Sequence, residues 1–268
     1  MSTPPVKLSV CNVCKTFRLR GGAGGKDGAL DVLRDVSFEA RQGEIVSLIG
    51  ESGCGKTTLL RIIQGLIRSD SGSVSVDGRP VSGPGRDRGF VFQQASLLPW
   101  RSARQNVEFG LELQGVPRAE RAARAMQLLA LVGLAHAAGQ YPHQLSGGMQ
   151  QRIGLARALA IDPAILLMDE PFSALDAQTR EALQTELMRI HEKTAKTTLF
   201  VTHDLDEAIY LSDRVVALAA KPGRVERIIE VPFGHPRPEL AELRGDARFQ
   251  EIRREMRNLI TAPGAVAA

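Results

Sequence analysis

The sequence predicts an α/β fold in which a core of parallel strands and helices is interrupted by a helical insert. Residues 45–49 form an apolar run, which is followed by a glycine-rich turn and then by apolar residues at helical spacing. Residues 165–168 and 199–201 are typical of buried parallel strands, and a helical pattern over 179–192 separates them. From residue 101 to about 159 the pattern is helical and rich in alanine and leucine. A chain of 268 residues is long enough for one large α/β domain.

The remaining elements follow from alternation, turn residues and spacing. Before the insert, the expected strands are residues 6–17, 32–40, 44–49, 73–76 and 89–92. Residues 18–28 are glycine-rich and basic, so we expect a mobile loop there. Residues 215–218 and 227–231 flank a turn at Lys221-Pro222-Gly223-Arg224 and predict a hairpin.

The end of the chain carries a single apolar stripe at helical spacing. Its residues are Phe249, Ile252, Met256, Leu259 and Ile260. The stripe predicts an amphipathic helix that packs on the domain, and the alternative is a separate regulatory unit. We therefore divide the chain into a domain at 1–235 and a helical tail at 236–268.

Composition and charge exclude several classes of protein. The chain is 43% hydrophobic and 24% charged, which is ordinary for a soluble globular protein. The longest apolar run without glycine is residues 215–220, whereas a membrane-spanning helix needs about 20 apolar residues. Residues 1–8 lack the basic-then-apolar layout of a signal peptide, so we expect a cytosolic chain. The net charge of +4 is too small to indicate a nucleic-acid partner.

Three cysteines, Cys11, Cys14 and Cys54, do not predict a disulfide framework. Cys11 and Cys14 match C-x-x-C, but no second pair of Cys or His at ligand spacing completes a zinc site. They also lie on an expected strand, where residues three apart face opposite sides. We expect all three cysteines to be structural.

The glycine-rich turn matches the phosphate-binding motif G-x-x-x-x-G-K-[ST]. It runs Gly50-Glu51-Ser52-Gly53-Cys54-Gly55-Lys56-Thr57-Thr58 and lies between a strand and a helix, as the motif requires. The glycines let backbone N–H groups turn inward around an anion, and the helix points its positive dipole end at the same place. Lys56 would reach the β- and γ-phosphates of a nucleotide, and the Thr57 hydroxyl would ligate Mg²⁺.

A second anion site is predicted at the segment that begins Leu145-Ser146-Gly147-Gly148-Met149-Gln150. Ser146 is a natural helix N-cap, and the two glycines leave the first helical N–H groups uncovered. This site is distinct from the phosphate-binding loop, and one nucleotide cannot easily use both from a single chain. A capped helix without a ligand is the alternative for this motif taken alone.

The strand at 165–168 ends in two carboxylates. Asp169 suits Mg²⁺, directly or through water, because a hard cation prefers oxygen ligands. Glu170 is placed to orient or deprotonate an attacking water.

Three further polar residues are candidates for the same site because they follow expected strands or precede an expected helix. Asp176 closes the segment after the carboxylates, His203 follows the strand at 199–201, and Gln93 follows the strand at 89–92. His203 could contact the γ-phosphate, and Gln93 could reach Mg²⁺ and the water.

In this order, the motifs resemble the ATP-binding subunits of ATP-binding cassette (ABC) transporters over nearly all of residues 6–235. The resemblance implies a P-loop NTPase (RecA-like) core with an antiparallel β subdomain and an inserted α-helical subdomain, of the ABC ATPase type. It makes residues 50–58 the Walker A loop and Gln93 the Q-loop. It also makes residues 146–150 the signature, Asp176 the D-loop and His203 the switch histidine. Phe17 lies where the family stacks an aromatic ring on adenine, and a core role is its alternative.

The resemblance also implies the partners and cofactors. In the family, two subunits meet head to tail, and each ATP lies between one P-loop and the signature of the other chain. We therefore expect a homodimer that binds ATP and Mg²⁺. It would sit on integral membrane permease subunits, at the cytoplasmic side of the inner membrane. A substrate-binding protein would be an indirect partner, and the mechanism would couple dimer closure on ATP to movement of the permease.

Two segments resemble the nitrate/sulfonate/taurine importer group more narrowly. They are Ser96-Leu97-Leu98-Pro99-Trp100-Arg101, followed by Asn106-Val107, and Ala208-Ile209-Tyr210-Leu211-Ser212-Asp213-Arg214-Val215. We therefore expect the ATPase of a bacterial importer for nitrate, aliphatic sulfonate or taurine-like solutes. An exporter or lipid-transport motor, or a soluble ABC ATPase, is the alternative. Trp100, the single tryptophan, is expected to rim a groove for a permease helix, unless it packs inside the insert.

Overall fold

The computed structural model describes residues 4–19 and 28–261 of the chain. The strands are β1 Val6–Leu19, β2 Gly28–Arg41, β3 Ile45–Gly50, β4 Ser71–Val76, β5 Arg79–Pro80, β6 Arg88–Val91, β7 Ile165–Asp169, β8 Thr197–Val201, β9 Arg214–Ala219 and β10 Arg224–Glu230. The helices are α1 Lys56–Gln64, α2 Ala103–Leu113, α3 Arg118–Leu131, α4 Gly147–Ala160, α5 Ala177–Thr194, α6 Leu205–Leu211, α7 Leu240–Gly245 and α8 Ala247–Thr261. Short 3₁₀ turns cover Ala135–Ala137 and Pro142–Gln144.

The core sheet has the strand order β10-β9-β3-β8-β7-β6. All neighbours are parallel except β10, which pairs with β9 as the predicted antiparallel hairpin. Helices and the second sheet cover its two faces, so successive residues of one strand enter different apolar clusters. Phe200 packs with the helices, whereas its neighbours Leu199 and Val201 pack toward the second sheet. Burial on both faces explains why these strands lack polar alternation.

The second sheet is antiparallel, with the order β2-β1-β4-β5. β1 and β2 are longer than predicted, and their pairing contains register shifts, with Asn12 at φ 49° and Asp35 at φ 51°. The predicted loop at 18–28 is shorter at both ends, because Arg18 and Gly28 belong to strands, and residues 20–27 lie outside the described part. Cys14 accepts a hydrogen bond at its Sγ from the Asp35 N–H at 3.2 Å.

The helical insert consists of α2, α3 and α4, which pack on one another. Ser102 caps α2 in a capping box with Gln105, which explains why the helix begins directly after that serine. The tail helix α8 packs on the domain, as predicted. Phe249 and Met256 are fully buried in the core cluster that α6 and β9 also line. Within residues 4–19 and 28–261, no helix has the length and apolarity that crossing a membrane requires.

Candidate functional site

The phosphate-binding loop and two of the predicted catalytic residues share one cleft at the carboxyl edge of the core sheet. The loop follows β3, Glu170 follows β7 and His203 follows β8, and these three strands are neighbours. In open parallel sheets, ligands bind at this edge. The cleft is lined by Val32, Ser52, Gly53, Gly55, Lys56, Thr57, Thr58, Glu170 and His203. The structure therefore brings together residues that are far apart in the sequence.

Lys56 is buried at the start of α1, and its ammonium points back into the loop. It donates hydrogen bonds to the carbonyl oxygens of Gly50 at 2.7 Å and Glu51 at 3.1 Å. Gly50 has φ 156°, and a Cβ there would lie 2.6 Å from the Leu218 carbonyl oxygen, so only glycine fits. The Cys54 side chain is fully buried in the apolar cluster that also contains Leu59 and Leu218, and this burial raises the pKa of its thiol.

The hairpin between β9 and β10 supports the loop from behind, through Gly223. A Cβ at Gly223 would lie 2.0 Å from the Cys54 carbonyl oxygen. The Gly223 N–H donates a hydrogen bond to the Val32 carbonyl at 2.9 Å, and the Gly223 carbonyl accepts one from the Arg34 N–H at 2.9 Å. The sequence marks Gly223 only as a turn residue, so its contact with the loop could not be predicted.

Asp169 ends β7 beside the loop, and its pKa is raised. Burial is the largest cause and the neighbouring charge of Glu170 adds to it, while Arg61, Lys56 and a hydrogen bond from Thr57 oppose the shift. A partly desolvated carboxylate beside a hydroxyl provides the hard oxygen ligands that Mg²⁺ prefers. Asp169 and Thr57 therefore fit the predicted magnesium site.

Glu170 and His203 form a direct pair across the cleft. The Glu170 Oε2 and the His203 Nδ1 lie 3.0 Å apart. The backbone of Glu170 has φ 43°, which is unfavourable for a residue with a side chain. Its N–H donates a hydrogen bond to the Val201 carbonyl at 2.9 Å, which helps to fix this conformation. Backbone strain of this kind concentrates at functional sites.

Gln93 is linked to the backbone of Glu170 through Ser173, a residue for which the sequence predicted no role. The Gln93 Nε2 donates to the Ser173 Oγ at 3.0 Å, and that hydroxyl donates to the Glu170 carbonyl at 2.9 Å. The amide oxygen of Gln93 remains for a further donor or a cation. Ser173 carries no sequence signal beyond its place between Glu170 and Asp176.

The predicted signature residues do not line the cleft. Ser146 caps α4 and accepts from the Met149 N–H at 3.3 Å. A Cβ at Gly148 would lie 2.9 Å from the Thr179 Cγ2, so this glycine lets α4 approach α5 closely. Gly147 and Gln150 line a neighbouring groove together with Gln93. The Gln150 amide donates to the carbonyls of Pro142 at 2.9 Å and Leu145 at 3.2 Å, which fixes the segment before α4.

Two other predicted residues also lie apart from the cleft lining. Asp176 caps α5, and its hydrogen bond from the Thr179 N–H lowers the pKa of its carboxyl. Phe17 pairs with Leu30 on β1–β2 and is 37% exposed, with the Lys15 Nζ 5.4 Å from its ring centroid. The Phe17 ring is thus available for stacking, and its adenine contact stays a prediction.

Trp100 is 70% exposed, so the alternative that it packs inside the insert is wrong. The fully buried Asn106 holds the backbone on both sides of it. The Asn106 amide accepts from the Leu98 N–H at 2.8 Å and donates to the Arg101 carbonyl at 3.0 Å. The indole is therefore presented to solvent by a rigid turn.

A phosphate-binding loop, two carboxylates at a strand end and a histidine facing the second carboxylate define a P-loop nucleotide hydrolase. Residues 33–173 match the family model described as ABC transporter. The chain belongs to the ABC transporter family, and it is the ATP-binding subunit, an ATPase coupled to transport. The fold class and the family predicted from the sequence are confirmed.

Several named relatives cover most of the chain. An uncharacterized ABC transporter ATP-binding protein of Methanocaldococcus jannaschii is 49% identical over 95% of this chain and 91% of its own length. The taurine import ATP-binding protein TauB of Rhizobium johnstonii is 48% identical over 84% of this chain and 87% of its own length. The nitrate import ATP-binding protein NrtC of Synechococcus elongatus is 47% identical over 95% of this chain, which corresponds to 38% of that longer protein.

Solved structures show the same architecture. A dimeric post-hydrolysis state of the ATP-binding cassette MJ0796, bound to ADP and Pi, has a TM-score of 0.70 and 36% identity. It covers 85% of this chain and 100% of that one.

Proposed function

We propose that this chain powers the import of nitrate, aliphatic sulfonate or taurine-like solutes, as a head-to-tail homodimer on two permease subunits. The relatives named as nitrate and taurine import proteins support the direction and the solute class. The P-loop and the signature lie apart within one chain, and this separation is the main support for an ATP site shared between two chains.

Each residue of the cleft has a separate role in ATP hydrolysis. The loop N–H groups and Lys56 bind the β- and γ-phosphates of ATP. Glu170 orients the attacking water and takes its proton while the water oxygen bonds to the γ-phosphorus and the bond to the β–γ bridging oxygen breaks. His203 holds the Glu170 carboxylate and contacts the γ-phosphate. Thr57 and Asp169 would hold Mg²⁺, which neutralises phosphate charge when bound.

The signature residues would complete the site of a second copy. Ser146 and Gly147 are exposed at the start of α4, away from the P-loop cleft of the same chain, and would bind an anion together with the first N–H groups of the helix. A twofold axis would place this helix start over the partner's ATP, and each contact would occur twice. Closure of the two chains around ATP would then move the permease through the surface at Trp100.

A mixed dimer tests the shared site. One chain carries Lys56→Ala and the other Ser146→Arg, each with its own affinity tag, so that only mixed dimers are purified. The shared-site arrangement leaves one intact composite site, and the second site carries both lesions. We expect vanadate to trap one nucleotide per mixed dimer, against two in the wild type and none in either single-variant homodimer. No trapped nucleotide in the mixed dimer would contradict the proposal.

Import is tested with the membrane complex. The tagged chain is purified from membranes, and its partners are identified by mass spectrometry. Right-side-out vesicles that hold the chain and ATP inside are then assayed for uptake of nitrate and taurine from the medium. Glu170→Gln is the inactive control. Efflux, or a complex without a multi-span partner, would contradict an importer.

A further inference from the structure

Glu207 is a carboxylate that is almost fully buried in α6, close to the switch histidine. It is 5% exposed, and its Oε2 accepts a hydrogen bond from the Thr202 Oγ1 at 2.6 Å. Its Oε1 accepts from the Gln184 Nε2 at 3.0 Å, and the Arg180 Nε lies 3.9 Å from the same oxygen. Burial raises the pKa of Glu207, while the hydrogen bond from Thr202 opposes the shift. Because an apolar residue would serve stability as well as a buried charge, stability alone does not explain this carboxylate.

One side of Glu207 fixes the turn that carries His203. The Thr202 hydroxyl has a single proton, which it gives to Glu207, so its lone pairs are free to accept. They accept the Asp204 N–H at 3.0 Å. The Asp204 carboxylate in turn accepts a hydrogen bond from the backbone N–H of Glu207 at 3.2 Å. These hydrogen bonds link residues 202, 204 and 207 in a closed ring. Glu207 therefore determines the direction of the hydroxyl that shapes this turn.

The other side of Glu207 leads to the loop between Glu170 and Asp176. The guanidinium of Arg180 donates to the Phe172 carbonyl at 3.3 Å and to the Leu175 carbonyl at 2.9 Å. Ser173, within the same loop, donates to the Glu170 carbonyl at 2.9 Å. Glu207 thus lies between the segment that positions Glu170 and the segment that positions His203.

We infer that Glu207 is a positioning residue that joins the His203 turn to the loop at 172–175 and thereby holds the His203 imidazole against Glu170. The His203 side chain is 64% exposed, so its own packing does not fix it and its place depends on its backbone turn. The inference rests on the ATPase activity proposed for this cleft. Without the carboxylate, the two segments move independently, and the Glu170–His203 pair opens.

The test compares Glu207→Ala and Glu207→Gln with a control in the same helix. Leu211 is fully buried in α6 and takes no part in the hydrogen bonds above, so Leu211→Ala removes packing alone. Where Leu211→Ala loses more stability than the Glu207 variants, Ile209→Val is the milder control. Each full-length variant is characterised by its Tm, by kcat and by KM for ATP in the presence of Mg²⁺, at a temperature well below the lowest Tm.

We expect Glu207→Ala to lower kcat about 10- to 100-fold with KM nearly unchanged, since a misplacement of about 1 Å costs on the order of 10²-fold. Glu207→Gln should recover part of the rate, because its amide oxygen still accepts one of the two hydrogen bonds. The control should lower Tm and leave kcat unchanged. If Glu207→Ala does not fold, Glu207→Gln carries the same comparison.

Two results would overturn the inference. One is a kcat close to wild type in both folded Glu207 variants. The other is an equal loss of kcat in the control at a matched Tm, which would make Glu207 a merely structural residue. A wild-type chain that does not hydrolyse ATP would instead contradict the proposed function.

Discussion

Replacing Glu170 with glutamine removes a base and a charge while keeping the shape of the side chain. The amide is isosteric, and the backbone hydrogen bond from the Glu170 N–H to the Val201 carbonyl is unaffected. The side-chain contact that changes is the 3.0 Å pair with His203, an exposed residue. Hydrogen bonds of this kind contribute about 0.5–1.5 kcal/mol, so we expect a small change in Tm.

The effect on turnover should be much larger. A positioned general base contributes about 10²–10⁴-fold, which corresponds to about 2.7–5.4 kcal/mol of activation free energy at about 1.36 kcal/mol per tenfold. Binding of ATP should persist or improve, because removing the Glu170 charge lessens the repulsion between the cleft and the phosphates. We also expect an ATP-bound dimer to accumulate, since reopening requires hydrolysis.

The assay measures phosphate release at saturating ATP and Mg²⁺, and light scattering gives the mass of the ATP-bound species. Glu181→Gln is the matched control, since it removes the same charge from an exposed side chain that pairs with Arg244. The Glu181→Gln variant should match the wild type in its rate of phosphate release and in the mass of its ATP-bound species. A Glu170→Gln chain whose turnover is within a few fold of the wild type would remove Glu170 from the role of base.

Three further substitutions test separate parts of the structure. Trp100→Ala should weaken capture of the permease and uncouple transport, with basal ATPase activity and Tm unchanged; a loss of several kcal/mol in unfolding free energy would contradict a docking role. Gly223→Ala should weaken ATP binding, because its Cβ would lie 2.0 Å from the Cys54 carbonyl oxygen, whereas Gly234→Ala has open space and should bind ATP normally. Phe249→Ala should lower the free energy of unfolding by about 3–5 kcal/mol in chemical denaturation, the usual effect of truncating a fully buried phenylalanine, with ATP affinity retained in the folded protein. Unchanged stability would show that the tail is not part of the core.

The sequence predicted what depends on local pattern. A strand buried on both faces is a continuous apolar run, and a carboxylate directly after it lies at the sheet edge, so Asp169 and Glu170 could be placed from sequence alone. The P-loop could be predicted equally well, because its strand and its helix are adjacent to it in the sequence. These features need no knowledge of which strands are neighbours.

Long-range contacts could not be predicted in the same way. Ser173 matters because Gln93, from a different strand end, reaches it, and Gly223 matters because a distant hairpin packs on the loop. The register shifts of β1 and β2 depend on pairing between two long strands, where no single residue sets the register. In each case the sequence gives the residue type, while the tertiary structure gives its partner.

The two sets of site residues lie apart, yet one short segment connects them within the chain. Glu170 begins this segment at the cleft, Ser173 and the Arg180 contacts fix its middle, and Asp176 caps α5 at its end. The first turn of α5 then meets α4 where Gly148 lets the helices touch. A rearrangement at Glu170 during hydrolysis would therefore reach the signature helix of the same chain through hydrogen bonds between side chains and backbone and through one close helix contact. Because that signature helix would serve the partner's ATP, the segment provides a physical route by which the state of one site can influence the other.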